Sequence, residues 1–247
     1  MSVRETLLKI YWACQRLIIP SFKSSESFYA ELLPRYVARD TRWLDLGCGR
    51  SILPRWRKEE ETRLVATCRQ IVGIDYDFDS IESNQGISAK VRGNITQLPF
   101  KNNAFDLITA NMVVEHLASP REQFLEISRI LKPKGLFLFH TPNVFGYGVS
   151  IARLVPDWLK NKLIYLLEGR EEGDVFETYY RANSEKSIHK LARACGLQVV
   201  RIEMLVTDPI SVAIPPLFVP ELIWIRMLMT KPLRSLRTNI IAILQKV

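Results

Sequence analysis

The chain has 247 residues, 47% of them hydrophobic, and carries 34 basic against 26 acidic side chains for a net charge of +8. That length buries one substantial core, which excludes a minimal scaffold stapled by disulfides or metal. Its four cysteines, Cys14, Cys48, Cys68 and Cys195, show no C-x-x-C spacing, which argues for a reducing compartment and against a zinc site.

In chain order, the first expected element is a basic amphipathic helix, in which Leu7, Leu8, Ile10, Tyr11, Trp12, Leu17, Ile18 and Ile19 alternate with Arg4, Lys9 and Arg16. No small-residue cleavage site follows it, so no secretory signal is read and a cytoplasmic location is expected. Strand one falls at 42–47, strand two at 70–75, a short third at 89–92 and the fourth at 105–111, with helical stretches between them. The clearest helix covers 120–131. There Phe124, Ile127, Ile130 and Leu131 share one face, Pro120 suits the first turn and Lys132-Pro133 stops the helix.

Strand five follows at 135–141. After Asn143 the pattern breaks into Gly146, Gly148, Pro156 and the charged stretch Glu168 to Asp174, until a helix at 184–194, strand six at 198–205 and a last strand at 239–244. Alternating strands and helices predict an α/β fold with a doubly wound, mostly parallel sheet and helices on both faces. The expected organisation is a helical extension or lid over 1–40 and one domain over 41–247. Within that domain lie an insertion at 143–183 and an apolar segment at 206–237.

The chemistry sits at two strand ends. Leu44-Asp45-Leu46-Gly47-Cys48-Gly49 closes strand one on an acid and two glycines, and Ile71-Val72-Gly73-Ile74 closes strand two on Asp75. Gly47 and Gly49 let the chain turn sharply and let a ligand approach the backbone, whose free N–H groups at the next helix start favour an anion. A carboxylate at a neighbouring strand tip accepts both hydroxyls of a ribose. The dinucleotide fingerprint G-x-G-x-x-G needs glycine at 52, where Ile52 stands, so NAD and FAD are disfavoured.

Five segments in order then carry a resemblance. They are Asp45 to Gly49; Gly73-Ile74-Asp75; Gly93-Asn94-Ile95 with Leu98-Pro99-Phe100; Phe105 to Ile108 with Glu115-His116-Leu117; and Leu131 to Gly135 with Thr141-Pro142-Asn143. Together they resemble the seven-stranded, class I S-adenosylmethionine-dependent methyltransferases, in the broad small-molecule group that includes ubiquinone and menaquinone biosynthetic enzymes. Ser51 stands in place of a third glycine, Asn94 in place of an aspartate and Lys134 in place of a turn glycine.

The resemblance implies an antiparallel last strand and S-adenosylmethionine as cofactor. It places Asp45 at the methionyl amino group, Gly47 and Gly49 along the methionyl and ribose portions, and Asp75 on the ribose hydroxyls. Asn94 and Ile95 fall at the adenine, Tyr76 on its face, and Asn111 and Met112 beside the methionyl chain. His116 and His140 are the candidates for a general base, with capping or packing as the alternative use. No metal is expected. Tyr147, Tyr179, Tyr180 and Arg181, in the insertion, are the candidates for gripping the acceptor. The implied reaction is methyl transfer to a small or lipid-linked acceptor, with a hydroxyl favoured. A glycan or other polar metabolite, or a non-catalytic scaffold that binds the cofactor, stays open.

Charge gathers at the chain ends, where residues 1–43 and 205–247 each carry a net +3 while the middle is nearly neutral. No continuous basic groove for nucleic acid is expected. Those ends are also apolar, the second through Ile214 to Val219 and Leu222 to Met229 followed by Lys231, Arg234 and Arg237. Two uses stay open: packing in the core, as a lid or in a homodimer contact, or peripheral contact with an anionic membrane. Prolines, Glu221 and Arg226 argue against a spanning helix.

Overall fold

A computed structural model describes residues 3–154, 177–209, 211 and 217–247. The helices are α1 Val3–Ile18, α2 Ser25–Leu32, α3 Lys58–Thr67, α4 Phe78–Ser83, α5 Pro120–Ile130, α6 Tyr147–Leu154, α7 Glu185–Ala194 and α8 Phe218–Leu228. The strands are β1 Arg42–Leu46, β2 Gln70–Asp75, β3 Ala89–Arg92, β4 Phe105–Asn111, β5 Leu131–Pro142, β6 Leu197–Leu205 and β7 Asn239–Lys246. They form one seven-stranded sheet in the order β3-β2-β1-β4-β5-β7-β6. The pairs from β3 through to β5 are parallel and β7 is antiparallel, as expected from the sequence.

The chain winds from β1 outward to β3, then returns to β4 on the other side of β1. At such a reversal the crevice beyond the strand ends is open to a ligand. Trp43, Leu44, Leu46, Ile71, Val72 and Ile74 are all buried, as parallel strands covered on both faces require. On α5, Phe124 meets the rings of Phe137 and Phe139 of β5 edge-on, with centroids 5.6 and 6.0 Å apart.

Strand five starts earlier than the sequence predicts, at Leu131. Lys132-Pro133-Lys134-Gly135 reads as a turn, yet Leu131 pairs with Phe105 and a register shift before Leu136 absorbs the irregular residues. Lys134 sits there at φ +65°.

The chain divides into two compact units. One comprises residues 29–142, 178–203 and 240–247 and holds nearly all of the sheet. The other comprises residues 1–28, 143–177 and 204–239. In the latter, α1 and α8 pack through Tyr11, Ile19, Phe218, Leu222, Ile225 and Leu228, with the Tyr11 and Phe218 rings edge-on at 5.8 Å. Arg226 donates to the Ile18 carbonyl at the end of α1, and Arg237 donates to the carbonyls of Leu228 and Met229 at the end of α8. Among the described residues, no helix is long and apolar enough to cross a membrane. Residues 155–176 of the expected insertion, and 210 and 212–216 of the apolar segment, lie outside the described residues.

Candidate active site

The turn after β1 is built on glycine for two reasons. Gly47 and Gly49 have φ values of +63° and +46°, and a Cβ at Gly47 would lie 2.4 Å from Val113 Cγ2. At Gly49 a Cβ would meet only the Gly47 carbonyl oxygen, at 4.0 Å, so there the positive φ and not crowding favours glycine. The N–H groups are already used. Those of Gly47 and Cys48 donate to the Ile74 carbonyl at 2.8 and 3.1 Å, and that of Gly49 donates to Asp75 Oδ2 at 2.8 Å. This corrects the expectation of free donors opening a helix: the turn spends them on joining two strand tips, and α3 begins only at Lys58.

Sequence reading missed Asn84, which braces this turn. Fully buried, it donates through Nδ2 to the carbonyls of Cys48 and Gly49 at 3.2 and 3.1 Å, and its Oδ1 accepts from the N–H groups of Gly86 and Ile87. Nothing local distinguishes it from an ordinary turn asparagine. Cys48 fills the space above Gly73, where a Cβ would come within 2.7 Å of its Sγ, and burial pushes its thiol up to about 12.

Asp45 is 4% exposed and lies in register with Thr109 of β4. Its Oδ1 accepts from the Thr109 hydroxyl at 2.5 Å, and that hydroxyl accepts from Trp43 Nε1 at 2.7 Å. Burial pushes Asp45 up to about 7; the Thr109 hydrogen bond opposes the shift, and the charges of Glu61 and Asp75 add to it. Asp75 is half-buried, with Oδ2 accepting from Gly49 and Oδ1 from the Asp77 N–H at 3.0 Å. Each Asp75 oxygen keeps a lone pair for a further donor.

Next to β2, Tyr76 is exposed, and the Arg92 guanidinium lies 5.9 Å from its ring centroid. The exposed Asn94 accepts from the Thr96 N–H through Oδ1 at 3.0 Å, a turn contact, and Ile95 beside it is half-buried. At the tip of β4, Asn111 Oδ1 meets His140 Nδ1 at 2.8 Å. Met112 stands at φ +56°, where a residue with a Cβ is strained, and donates its N–H to the His140 carbonyl. His140 is buried, stacks on Tyr29 at 5.7 Å, and is pushed down to about 4 by burial.

Glu115 is also buried, and burial raises its carboxyl above the ordinary value. It accepts from the Thr141 hydroxyl at 2.9 Å, and Thr141 accepts from Asn183 Nδ2 at 2.6 Å. His116 Nε2 lies 4.0 Å from Glu115 Oε1, with the imidazole partly exposed. Tyr179 and Tyr180 donate their N–H groups to the Glu115 carbonyl, Tyr180 at φ +51°, and Arg181 donates to the Ala118 carbonyl with its guanidinium over the Tyr179 ring. These three residues therefore gather at the Glu115–His116 turn. Tyr147 lies in the other unit, where its hydroxyl donates to Glu221 at 2.7 Å.

The family described as a methyltransferase domain matches residues 22–202. A probable S-adenosylmethionine-dependent methyltransferase of Mycolicibacterium smegmatis is 30% identical over 126 residues, which are 49% of this chain and 45% of the relative. A ubiquinone biosynthesis O-methyltransferase of Cereibacter sphaeroides is 26% identical over 177 residues, 69% of this chain and 65% of that one. The chain thus spans less than two thirds of the length of either. Geranyl diphosphate C-methyltransferase from Streptomyces coelicolor, solved with S-adenosyl-L-homocysteine, shares the fold with a TM-score of 0.55 at 14% identity over 90% of this chain and 77% of that one. With the sheet order, the glycine turn between two acidic strand tips and a family match over most of its length, the chain belongs to the class I, S-adenosylmethionine-dependent methyltransferases.

Proposed function

We propose that this protein transfers a methyl group from S-adenosylmethionine to a small or lipid-linked acceptor, at an acceptor hydroxyl. The observation that carries the reading is the pair of carboxylates, Asp45 and Asp75, on either side of one glycine turn. A buried carboxylate suits an ammonium, and a half-buried one with spare lone pairs suits a ribose diol. In this reading Asp45 takes the methionyl amino group, Asp75 takes the ribose hydroxyls, and Gly47 and Gly49 line the approach. Tyr76, Asn94 and Ile95 frame the adenine, and Asn111 and Met112 border the methionyl chain.

When bound, the cofactor supplies an electrophilic methyl group on a sulfonium. The protein's part is to align the acceptor and exclude water. An acceptor hydroxyl also has to lose its proton. His116, partly exposed beside Glu115, is the base suited to receive it, whereas His140 has Nδ1 engaged by Asn111 and serves to position that side chain. Tyr179, Tyr180 and Arg181 are assigned to the acceptor.

The quinone O-methyltransferase relative supports the hydroxyl. The lipid-linked part is supported by the α1–α8 unit, whose helices leave Ile10, Trp12, Leu17, Ile223 and Met227 exposed, with Lys9 and Arg16 on the same outward face of α1. Apolar and basic side chains together suit an anionic membrane surface. Incubating cell extract with methyl-labelled S-adenosylmethionine tests the acceptor. Label is expected in the organic phase with the wild type and not with Asp75→Ala; label confined to the aqueous phase would replace a lipid-linked acceptor with a polar one. Wild-type protein is expected to float with anionic vesicles, and Leu17→Glu to float several-fold less; wild type that stays below the gradient would remove the membrane contact.

A further inference from the structure

A cavity of about 480 Å³ lies between the loop after Gly49 and the end of α4, with Arg50, Ser51, Arg55, Lys58, Glu61 and Ser83 among its walls. All six belong to the unit that holds the sheet, and none has a part in the methyl-transfer reading above. The volume is that of a small-molecule site, for which about 300–1,000 Å³ is usual.

Its cations differ from their neighbours. Arg57, outside the walls, pairs with Glu60 at 3.1 Å, and Arg63 donates to the Glu59 carbonyl. Among the described residues, Arg50, Arg55 and Lys58 make no side-chain hydrogen bond or ion pair, although each lines the cavity. Glu61 is the buried member, 5% exposed. Its Oε2 accepts from the Leu53 N–H at 2.7 Å, and no described hydrogen bond reaches Oε1, which lies against Gly86, another residue of the wall. A glutamine carbonyl would hold Leu53 equally well, so the loop does not account for the second carboxylate oxygen.

Three unpaired cations around one cavity suit a phosphate, whose charge exceeds that of a carboxylate. A buried acceptor needs donors, and Glu61 Oε1 with the hydroxyls of Ser51 and Ser83 suits the hydroxyls of a sugar. We propose that this cavity is a second ligand site, which takes a phosphorylated polyol of the sugar phosphate class, with the phosphate on Arg50, Arg55 and Lys58 and a hydroxyl donating to Glu61. The site adjoins the glycine turn without using its acids. Arg50 follows Gly49 directly, and Asn84, next to Ser83, holds the carbonyls of Cys48 and Gly49, while neither Asp45 nor Asp75 is in the wall.

Calorimetry at low ionic strength with glucose 6-phosphate and ribose 5-phosphate tests the assignment. At least one is expected to bind the wild type, with glucose and inorganic phosphate each at least tenfold weaker. Arg55→Ala and Lys58→Ala, both at exposed positions, should each weaken the sugar phosphate about tenfold, as the loss of a charged hydrogen bond does. Glu61→Gln keeps an acceptor for Leu53 and should weaken the sugar phosphate several-fold without weakening inorganic phosphate. If that variant fails to fold, the two exposed cations decide the matter. Saturating S-adenosylhomocysteine should not displace the sugar phosphate, nor should methylthioadenosine, which has the same adenosyl thioether without the amino-acid end. Displacement by either, equal affinity for sugar phosphate and sulfate, or wild-type affinity in Arg55→Ala and Lys58→Ala would overturn the proposal. Protein that binds S-adenosylhomocysteine and neither sugar phosphate would overturn this site and leave the cofactor reading standing.

Discussion

Asp45 and Asp75 end adjacent strands, yet the two carboxylates stand in different chemistry. Asp45 is held by a side chain, Thr109, and burial brings its carboxyl near neutrality. Asp75 is half-buried and held by two backbone N–H groups, from Gly49 and Asp77. The difference follows from position. β1 is flanked by β2 and β4, so Asp45 falls in register with Thr109 and is covered, whereas β2 borders the short edge strand β3 and its tip stays open. A buried acid that is costly to ionise recovers that cost when a cation arrives, so it reads charge. An acid fixed by backbone donors is already oriented, which on the proposed reading suits it to neutral hydroxyls. Sequence motifs score both as an acid at a strand end, and only the surroundings divide the labour.

The largest effect should come from the more exposed acid. On the proposed reading Asp75→Ala removes the acceptor for two ribose hydroxyls, and it also releases the N–H of Gly49 from the position that shapes the turn. Two hydrogen bonds to a charged group account for about 3 kcal/mol, so affinity should drop by about 100-fold or more. Both S-adenosylhomocysteine and methylthioadenosine should lose it, since both carry the ribose. Equal affinity in wild type and Asp75→Ala would remove this acid from the pocket.

Asp45→Asn should act on one ligand only. It keeps the shape and the Thr109 contact but removes the charge, so S-adenosylhomocysteine should weaken by about 30-fold while methylthioadenosine holds. If both ligands weakened together, the contrast between the two acids would collapse into a general disturbance of the turn.

Much of this arrangement was legible from the letters, for a physical reason. Strands and glycine turns are written locally: apolar runs give β1 and β2, and φ values open to glycine give Gly47 and Gly49. What was not legible is contact made across the chain. Asn84 reads as one more turn residue in Ser-Asn-Gln-Gly, and only the fold brings it under Cys48 and Gly49. Glu61 sits in the run Glu59-Glu60-Glu61 and looks like a solvated face, yet it is buried and accepts the Leu53 N–H at 2.7 Å. Thr109 joins Asp45 from β4, at a separation that no spacing rule covers. Strand five began early because a bulge can absorb a proline and a left-handed lysine that otherwise signal a turn.

The smallest effect is the most selective, because it needs no mutation. Asp45 is pushed up to about 7 in the free protein, so at pH 6 most molecules hold a neutral carboxyl there and at pH 8 most hold a carboxylate. An ammonium pairs with the carboxylate. Affinity for S-adenosylhomocysteine should therefore fall about tenfold from pH 8 to pH 6, while methylthioadenosine changes little and Asp45→Asn flattens the profile. His140, pushed down to about 4, stays neutral across that window. Stability of the free protein should carry the opposite sign. A raised carboxyl contributes stability below its unfolded value that is lost as pH rises through about 7; up to the ordinary histidine value of 6.5 the rising His140 contribution offsets that loss, so the decline in Tm falls between about pH 6.5 and pH 8. His140 works the other way, contributing above its unfolded value and failing as pH falls through about 4. A melt with saturating S-adenosylhomocysteine should cancel the Asp45 slope and leave that of His140, because the ligand answers one buried group and not the other.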